Sequence, residues 1–175
     1  MGHGYFRKVF SAGLAGFFSL FLGGAAPARG EHVNRYSAAE RPGLSPAARF
    51  AIRRAHLALT DPVCRQIFLD FQDVSGRPLQ ERLDSLGRTG QEYLESMLFY
   101  DSVDYPFCRD SRTLAMTSPG ARVVYLCESK FSSLIRREPS ALWVAVLHEM
   151  LHSLGLEENP PTSDEISRQV VQRCL

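Results

Sequence analysis

The sequence predicts a small α+β domain that is mostly helical, with a short β-hairpin ahead of a long apolar helix. Apolar residues recur at helical spacing in several segments between residues 45 and 98, which is typical of amphipathic helices. Residues 122–126, Arg-Val-Val-Tyr-Leu, have the β-branched and aromatic content of a strand. Residues 141–154 form an apolar run between Pro139 and Gly155, so we expect a buried helix there.

Residues 1–28 have the pattern of a secretory signal peptide. Arg7 and Lys8 precede an apolar stretch over residues 9–26, and the small residues of a cleavage site follow at 26–28. The apolar stretch is nearly long enough for an uncleaved membrane anchor, but its glycines and its A-x-A end favour cleavage, which we expect after residue 28. Since no other segment would cross a membrane, we expect a secreted or periplasmic protein that is not attached to a membrane.

The exported chain is long enough for one domain with a hydrophobic core. Residues 29–44 carry Arg, Glu, Ser, Pro and Gly without periodicity, so we expect an extended, mobile leader ahead of a single domain over residues 45–175. Loss of Arg7 and Lys8 leaves 18 basic and 19 acidic side chains, a formal charge of −1. A chain with this charge lacks the excess of basic residues that a nucleic-acid-binding surface requires. We expect a monomer.

Turn and capping signals divide the first half of this domain into helices. Ser45-Pro46 supplies an N-cap and a first-turn proline for a helix over residues 47–59, which Asp61-Pro62 ends. Three further helices are expected, over residues 63–73, 79–86 and 91–97, the last opened by Thr89 or Gly90.

The second half begins with Phe99-Tyr100 and a polar loop that ends at Cys108. Residues 113–117 and 121–126 flank Ser118-Pro119-Gly120, which predicts a β-hairpin. Pro139-Ser140 then begins the apolar helix, and Gly155 occupies the position of a helix C-cap. After Pro160-Pro161 we expect a last helix over residues 164–173.

The cysteines indicate disulfides. Four of them in an exported chain predict two bonds, with three ways to pair them. We favour Cys108 with Cys127, which would bracket the hairpin, and Cys64 with Cys174, which would tie the C-terminal segment to an early helix. Zinc binding by cysteine is disfavoured, because no two cysteines have the close spacing of a zinc knuckle.

The apolar helix contains the motif H-E-x-x-H at residues 148–152. Because residues four apart lie on the same face of a helix, His148 and His152 can bind one Zn²⁺. Glu149 lies on the flank of that face, where its carboxylate can act as the general base on a water that the metal activates. Burying these three side chains without a metal would be costly.

A catalytic zinc needs a third protein ligand. His32 lies in the expected leader, and His56 fits the edge of an amphipathic helix, so carboxylates are better candidates. We favour Glu158. Glu165 is the main alternative, although with Thr162 it also fits a capping box, and Asp164 and Glu157 stay open as lesser alternatives.

The segment 148–158, H-E-x-x-H-x-x-G-x-x-E, resembles the signature of the metzincin metallopeptidases. It differs by having Glu158 where that family has a third histidine, and no methionine follows Met150 to form a Met-turn. A ligand from the next helix would be similar to gluzincins, and the layout of residues 108–152 is similar to aspzincins. Residues 148–174 also resemble small exported bacterial proteins.

The resemblance implies a zincin-like fold and a zinc metalloendopeptidase with a peptide or protein substrate. We expect strand 122–126 to offer its edge to an extended peptide. Tyr100, Tyr105 and Tyr125 are candidates for stabilising the oxyanion. The alternative is a disulfide-stapled exported protein that binds zinc or a partner without turnover.

Overall fold

The predicted α+β fold class is confirmed, because helices surround a small three-stranded sheet in the part of the chain that is described. The structure is a computed structural model that describes residues 37–175. The signal peptide expected over residues 1–28 and the histidine at position 32 lie outside these residues. None of the helices within residues 37–175 combines the length and the apolar character that a membrane span requires.

The segment from Ser37 to Leu44 packs on the domain, so the prediction of a mobile leader over residues 29–44 is wrong for this part. Ala38–Glu40 form a 3-10 helix, and the side chains of Ala38, Ala39 and Leu44 are buried. The backbone N–H of Ala38 donates to a carboxylate oxygen of Glu95 at 2.7 Å. The small side chains of Ala38 and Ala39 let this segment pack against the domain, and the composition of residues 29–44 does not predict such packing.

The first helix, α1 (Pro46–Ala58), packs mainly on the motif helix. Its N-cap is Ser45, whose hydroxyl accepts from the backbone N–H of Ala48 at 3.2 Å, as the sequence predicts. A fully buried stripe faces the core, formed by Ala48, Ala51, Ile52 and Ala55. The alanines in this stripe bring α1 close to α7 (Pro139–Ser153).

Shorter helices follow α1. The helix expected over residues 63–73 is instead two short ones, α2 (Pro62–Arg65) and α3 (Ile67–Asp70), separated by a turn at Gln66. The chain becomes extended at Phe71 and forms a bridge from Gln72 to Pro78. The next two helices lie close to their expected positions, as α4 (Leu79–Ser85) and α5 (Gly90–Glu95), and Thr89 is the N-cap of the second.

The sheet has the strand order β1-β3-β2. The predicted hairpin is confirmed as β2 (Ala115–Met116) antiparallel to β3 (Val123–Leu126). An additional strand, β1 (Leu98–Asp101), pairs in parallel with β3 on its other side. Because β3 is the central strand, the expectation that residues 122–126 offer a free edge is wrong.

Helices complete the domain after the sheet. The sequence did not predict α6 (Glu128–Leu134), whereas α7 was expected and α8 (Ser163–Cys174) lies within a residue of its expected bounds. Both favoured disulfide pairings are confirmed. The Cα atoms of Cys64 and Cys174 are 4.4 Å apart, and those of Cys108 and Cys127 are 5.5 Å apart.

Candidate metal centre

The three charged or polar residues of the motif are buried near the C-terminal end of α7. His148, Glu149 and His152 have exposed fractions of 6%, 7% and 7%. Just beyond the helix, Gly155 has a φ of +112°, a conformation that other residues rarely adopt, and its N–H donates to the carbonyl of His152 at 2.8 Å. This glycine reverses the chain and brings Glu158 back over the two imidazoles.

The ligand atoms of His148, His152 and Glu158 converge on one point. The two Nε2 atoms are 2.9 Å apart, and Oε1 of Glu158 lies 3.3 Å from Nε2 of His148 and 3.1 Å from Nε2 of His152. A tetrahedral zinc site with bonds of about 2.0–2.2 Å keeps its ligand atoms about 3.3–3.5 Å apart. The three side chains could therefore hold a metal ion with only small adjustments.

The other nitrogen of each imidazole has its own partner. Nδ1 of His152 donates to the backbone carbonyl of Leu156 at 2.8 Å, and Nδ1 of His148 lies 3.0 Å from the hydroxyl of Ser167. A proton held on Nδ1 leaves the lone pair of Nε2 free for a metal. The sequence analysis did not identify either partner.

Burial changes the protonation of the cluster in the metal-free state. Desolvation, followed by the neighbouring charge of His152, lowers the pKa of His148 to about 4. Burial would raise the pKa of Glu158, but the charge of His152 and the hydrogen bond with His148 outweigh it and lower that pKa. At neutral pH the site therefore offers an uncharged His148 and a carboxylate, which are the forms that bind metals.

Glu149 is next to the cluster but is not one of its three converging groups. Burial and the nearby charge of Glu158 raise its pKa to about 8, and a hydrogen bond from the backbone of Thr117 opposes this rise. The Glu149 side chain lines the same cleft as the three residues of the cluster. Its placement fits the sequence prediction that it acts beside the metal rather than on it.

A cleft of about 1030 Å³ opens beside the cluster. One wall is the face of α7 that carries Ala141, Val144 and Ala145, which are spaced to share a side with His148. Strand β2 forms another wall, and Val171 of α8 contributes a third. The lining is mixed, because polar and charged residues such as Asp110, Arg112 and Asp164 share the cleft with these apolar side chains.

Within residues 37–175, the other residues considered as ligands lie outside the converging cluster. Glu165 accepts from the backbone N–H of Thr162 at 2.8 Å in the predicted capping box, and it does not belong to the converging cluster. His56 lies on α1, with its Nε2 atom 3.6 Å from a carboxylate oxygen of Glu95. Of the lesser carboxylate alternatives, Glu157 and Asp164 line the cleft without joining the cluster.

The tyrosines expected to stabilise an oxyanion are elsewhere. Among the described residues that line the cleft, Tyr100, Tyr105 and Tyr125 are all absent. They lie close to one another instead, with the ring centroids of Tyr105 and Tyr125 5.4 Å apart and those of Tyr100 and Tyr125 6.3 Å apart. The alternation of side chains along β1 and β3 places this group on the face of the sheet opposite the core.

No protein family, curated protein or solved structure matches this chain. The geometry of the cluster and its cleft therefore supports the functional interpretation by itself.

Proposed function

We propose that the protein is an exported zinc metalloendopeptidase in which His148, His152 and Glu158 bind the metal and Glu149 is the general base. The main support is the convergence of two imidazole nitrogens and one carboxylate oxygen beside an open cleft. This donor set is the one that several zinc peptidases use. Bound zinc would supply a Lewis acid that activates water and polarises a carbonyl group.

Glu149 is placed to move the proton. Its side chain is 7% exposed and lines the cleft beside the histidines. The positive charge of a bound zinc ion would oppose the burial that raises the pKa of Glu149, and would favour the carboxylate form. That carboxylate can accept a proton from a water in the cleft and return it to the leaving amine. Because it is not part of the converging cluster, its proton-accepting role does not compete with metal binding.

The substrate we propose is an extended peptide that lies beside β2. This strand, rather than β3, is at the edge of the sheet, and both of its residues line the cleft. An edge strand has backbone groups free to pair with a peptide. The apolar wall formed by Ala141, Val144 and Ala145 suits an apolar side chain next to the scissile bond.

Export to the periplasm or the exterior is supported by the two disulfides. Such bonds persist in oxidising compartments and are rare in the cytosol of most organisms. The proposed signal peptide agrees with this interpretation.

Cleavage of a diverse peptide library tests the activity. We expect the wild type to cleave, a chelator to abolish cleavage, and added zinc to restore it. Glu149→Gln should lower the rate by at least about 100-fold while zinc stays bound, because a general base contributes about 10²–10⁴-fold. Glu157→Gln, the same change at an exposed carboxylate of the same cleft, is the matched control and should keep the wild-type rate.

Two outcomes would refute the proposal. Equal cleavage by wild type and Glu149→Gln would exclude the general-base role. Zinc binding without cleavage by either protein would instead support an exported zinc-binding protein without turnover.

A further inference from the structure

We propose that Ser167 is a positioning residue of the metal centre, whose hydroxyl holds the imidazole of His148 in the orientation that directs Nε2 toward the metal site. The inference rests on the proposed function only in assuming that the cluster binds a metal. It extends the site to α8, a helix that supplies no ligand in our assignment.

The two imidazoles are held in different ways. His152 uses the carbonyl of Leu156, four residues along the chain, so its partner belongs to the same reversal of the backbone at the end of α7. His148 instead uses Ser167, nineteen residues away on another helix, with 3.0 Å between Nδ1 and Oγ. The orientation of His148 therefore depends on how α8 is placed.

A neutral imidazole that binds a metal through Nε2 carries its single proton on Nδ1. In that form Nδ1 of His148 can donate to the hydroxyl of Ser167, which lies within hydrogen-bond distance. On the other side of the ring, Nε2 lies 2.9 Å from Nε2 of His152 and 3.3 Å from Oε1 of Glu158. Without the serine hydroxyl, the ring loses the contact that directs Nε2 toward these two atoms.

Helix α8 is fixed strongly enough to set this contact. Ile166 and Val170 on either side of Ser167 are fully buried. Near the end of the helix, Asp70 accepts from Arg173 at 2.7 Å and from Gln169 at 2.8 Å. The disulfide between Cys64 and Cys174 attaches the last residue of α8 to α2. The hydroxyl is therefore presented from a packed and cross-linked element.

The test compares Ser167→Ala with Ser167→Thr, which restores a hydroxyl at the same position. Ser133→Ala is the matched control, because Ser133 donates to a carbonyl within α6 and is exposed. Zinc affinity is measured by competition with a chromophoric chelator. Recovery of the affinity in Ser167→Thr separates a contact made by the hydroxyl from a general loss of packing in α8.

We expect Ser167→Ala to bind zinc about 10-fold more weakly, the lower end of the loss typical for such outer partners. Ser167→Thr should recover most of the affinity, and Ser133→Ala should equal the wild type. Unchanged affinity in Ser167→Ala would overturn the role of Ser167, whereas failure of the wild type to bind zinc would refute the metal centre itself.

Discussion

The backbone N–H of Gly120 donates to the carbonyl of His152 at 3.0 Å. This bond attaches the turn between β2 and β3 to the C-terminal end of α7. The same carbonyl accepts the N–H of Gly155, so the hairpin and the chain reversal meet at one of the proposed ligand residues. These two bonds connect the wall of the cleft to the candidate metal centre, and the proposed peptide cleavage requires such a fixed placement.

The first prediction concerns the two histidine ligands. We expect the wild type to bind one equivalent of zinc. His148→Ala and His152→Ala should each bind zinc at least about 10-fold more weakly, because replacing even a residue that hydrogen-bonds to a ligand weakens metal binding by about that factor. Zinc should raise the melting temperature of the wild type, because a ligand that binds only the folded state stabilises it. Isothermal titration and thermal scans measure both effects.

His56→Ala is the control for this prediction. His56 lies beside Glu95 and outside the cluster, so its removal should leave zinc affinity unchanged. A loss of zinc binding in His56→Ala as large as in His148→Ala would place the metal elsewhere.

The second prediction separates the two glutamates considered as the third ligand. Glu158→Ala should weaken zinc binding by at least about 10-fold, because the loss of a ligand should reduce zinc affinity at least as much as the loss of a residue that hydrogen-bonds to a ligand. Glu165→Ala should keep the wild-type zinc affinity and lower the melting temperature, since it breaks the capping box at the start of α8. Unchanged affinity in Glu158→Ala would exclude it as a ligand.

The third prediction ranks the two disulfides. The bond between Cys64 and Cys174 spans 110 residues, and the bond between Cys108 and Cys127 spans 19. On the chain-entropy relation their loss should cost about 5 and about 3 kcal/mol. Urea unfolding of the double-serine variants measures these losses. A larger loss from the shorter loop would contradict the ranking.

The fourth prediction concerns acid stability. Burial raises the pKa of Asp70, but its hydrogen bonds with Arg173 and Gln169 outweigh burial and lower the pKa below the usual value. The folded state therefore binds this proton more weakly than the unfolded state, so the stabilisation is present above about pH 4 and is lost as the pH falls further. Asp70→Asn should unfold more easily than the wild type at pH 7, and the difference should shrink as the pH falls below the usual pKa of an aspartate, about 4. A difference that grows in acid would contradict the assignment.

The sequence predicted the local parts of the site well. His148 and His152 are four residues apart on one helix, so their shared face follows from helix geometry alone. Gly155 and Glu158 follow within six residues of His152, which leaves the chain few ways to turn. The fold class could be predicted for similar reasons, from periodicity, composition and turn residues. The count of cysteines predicted two disulfides but left three pairings open, and the structure has the favoured one.

The features that the sequence analysis missed depend on distant contacts. Strand β1 is short and is stabilised by parallel pairing with β3, more than twenty residues later. Its pairing places β3 at the centre of the sheet. The contact between Ser167 and His148 depends on how α8 packs, and no spacing rule for a serine hydroxyl predicts it. The sequence does not show which face of the sheet Tyr125 occupies, because this depends on how the strands pair.

The most direct test of the metal centre is zinc K-edge X-ray absorption on the purified, zinc-loaded protein. We predict a four-coordinate site with two imidazole nitrogens and a carboxylate oxygen at about 2.0–2.2 Å. Glu158→Ala should alter the oxygen contribution, and Glu165→Ala should give the wild-type spectrum. A spectrum with no imidazole scattering, or one with sulfur at about 2.3 Å, would contradict the assignment of His148, His152 and Glu158.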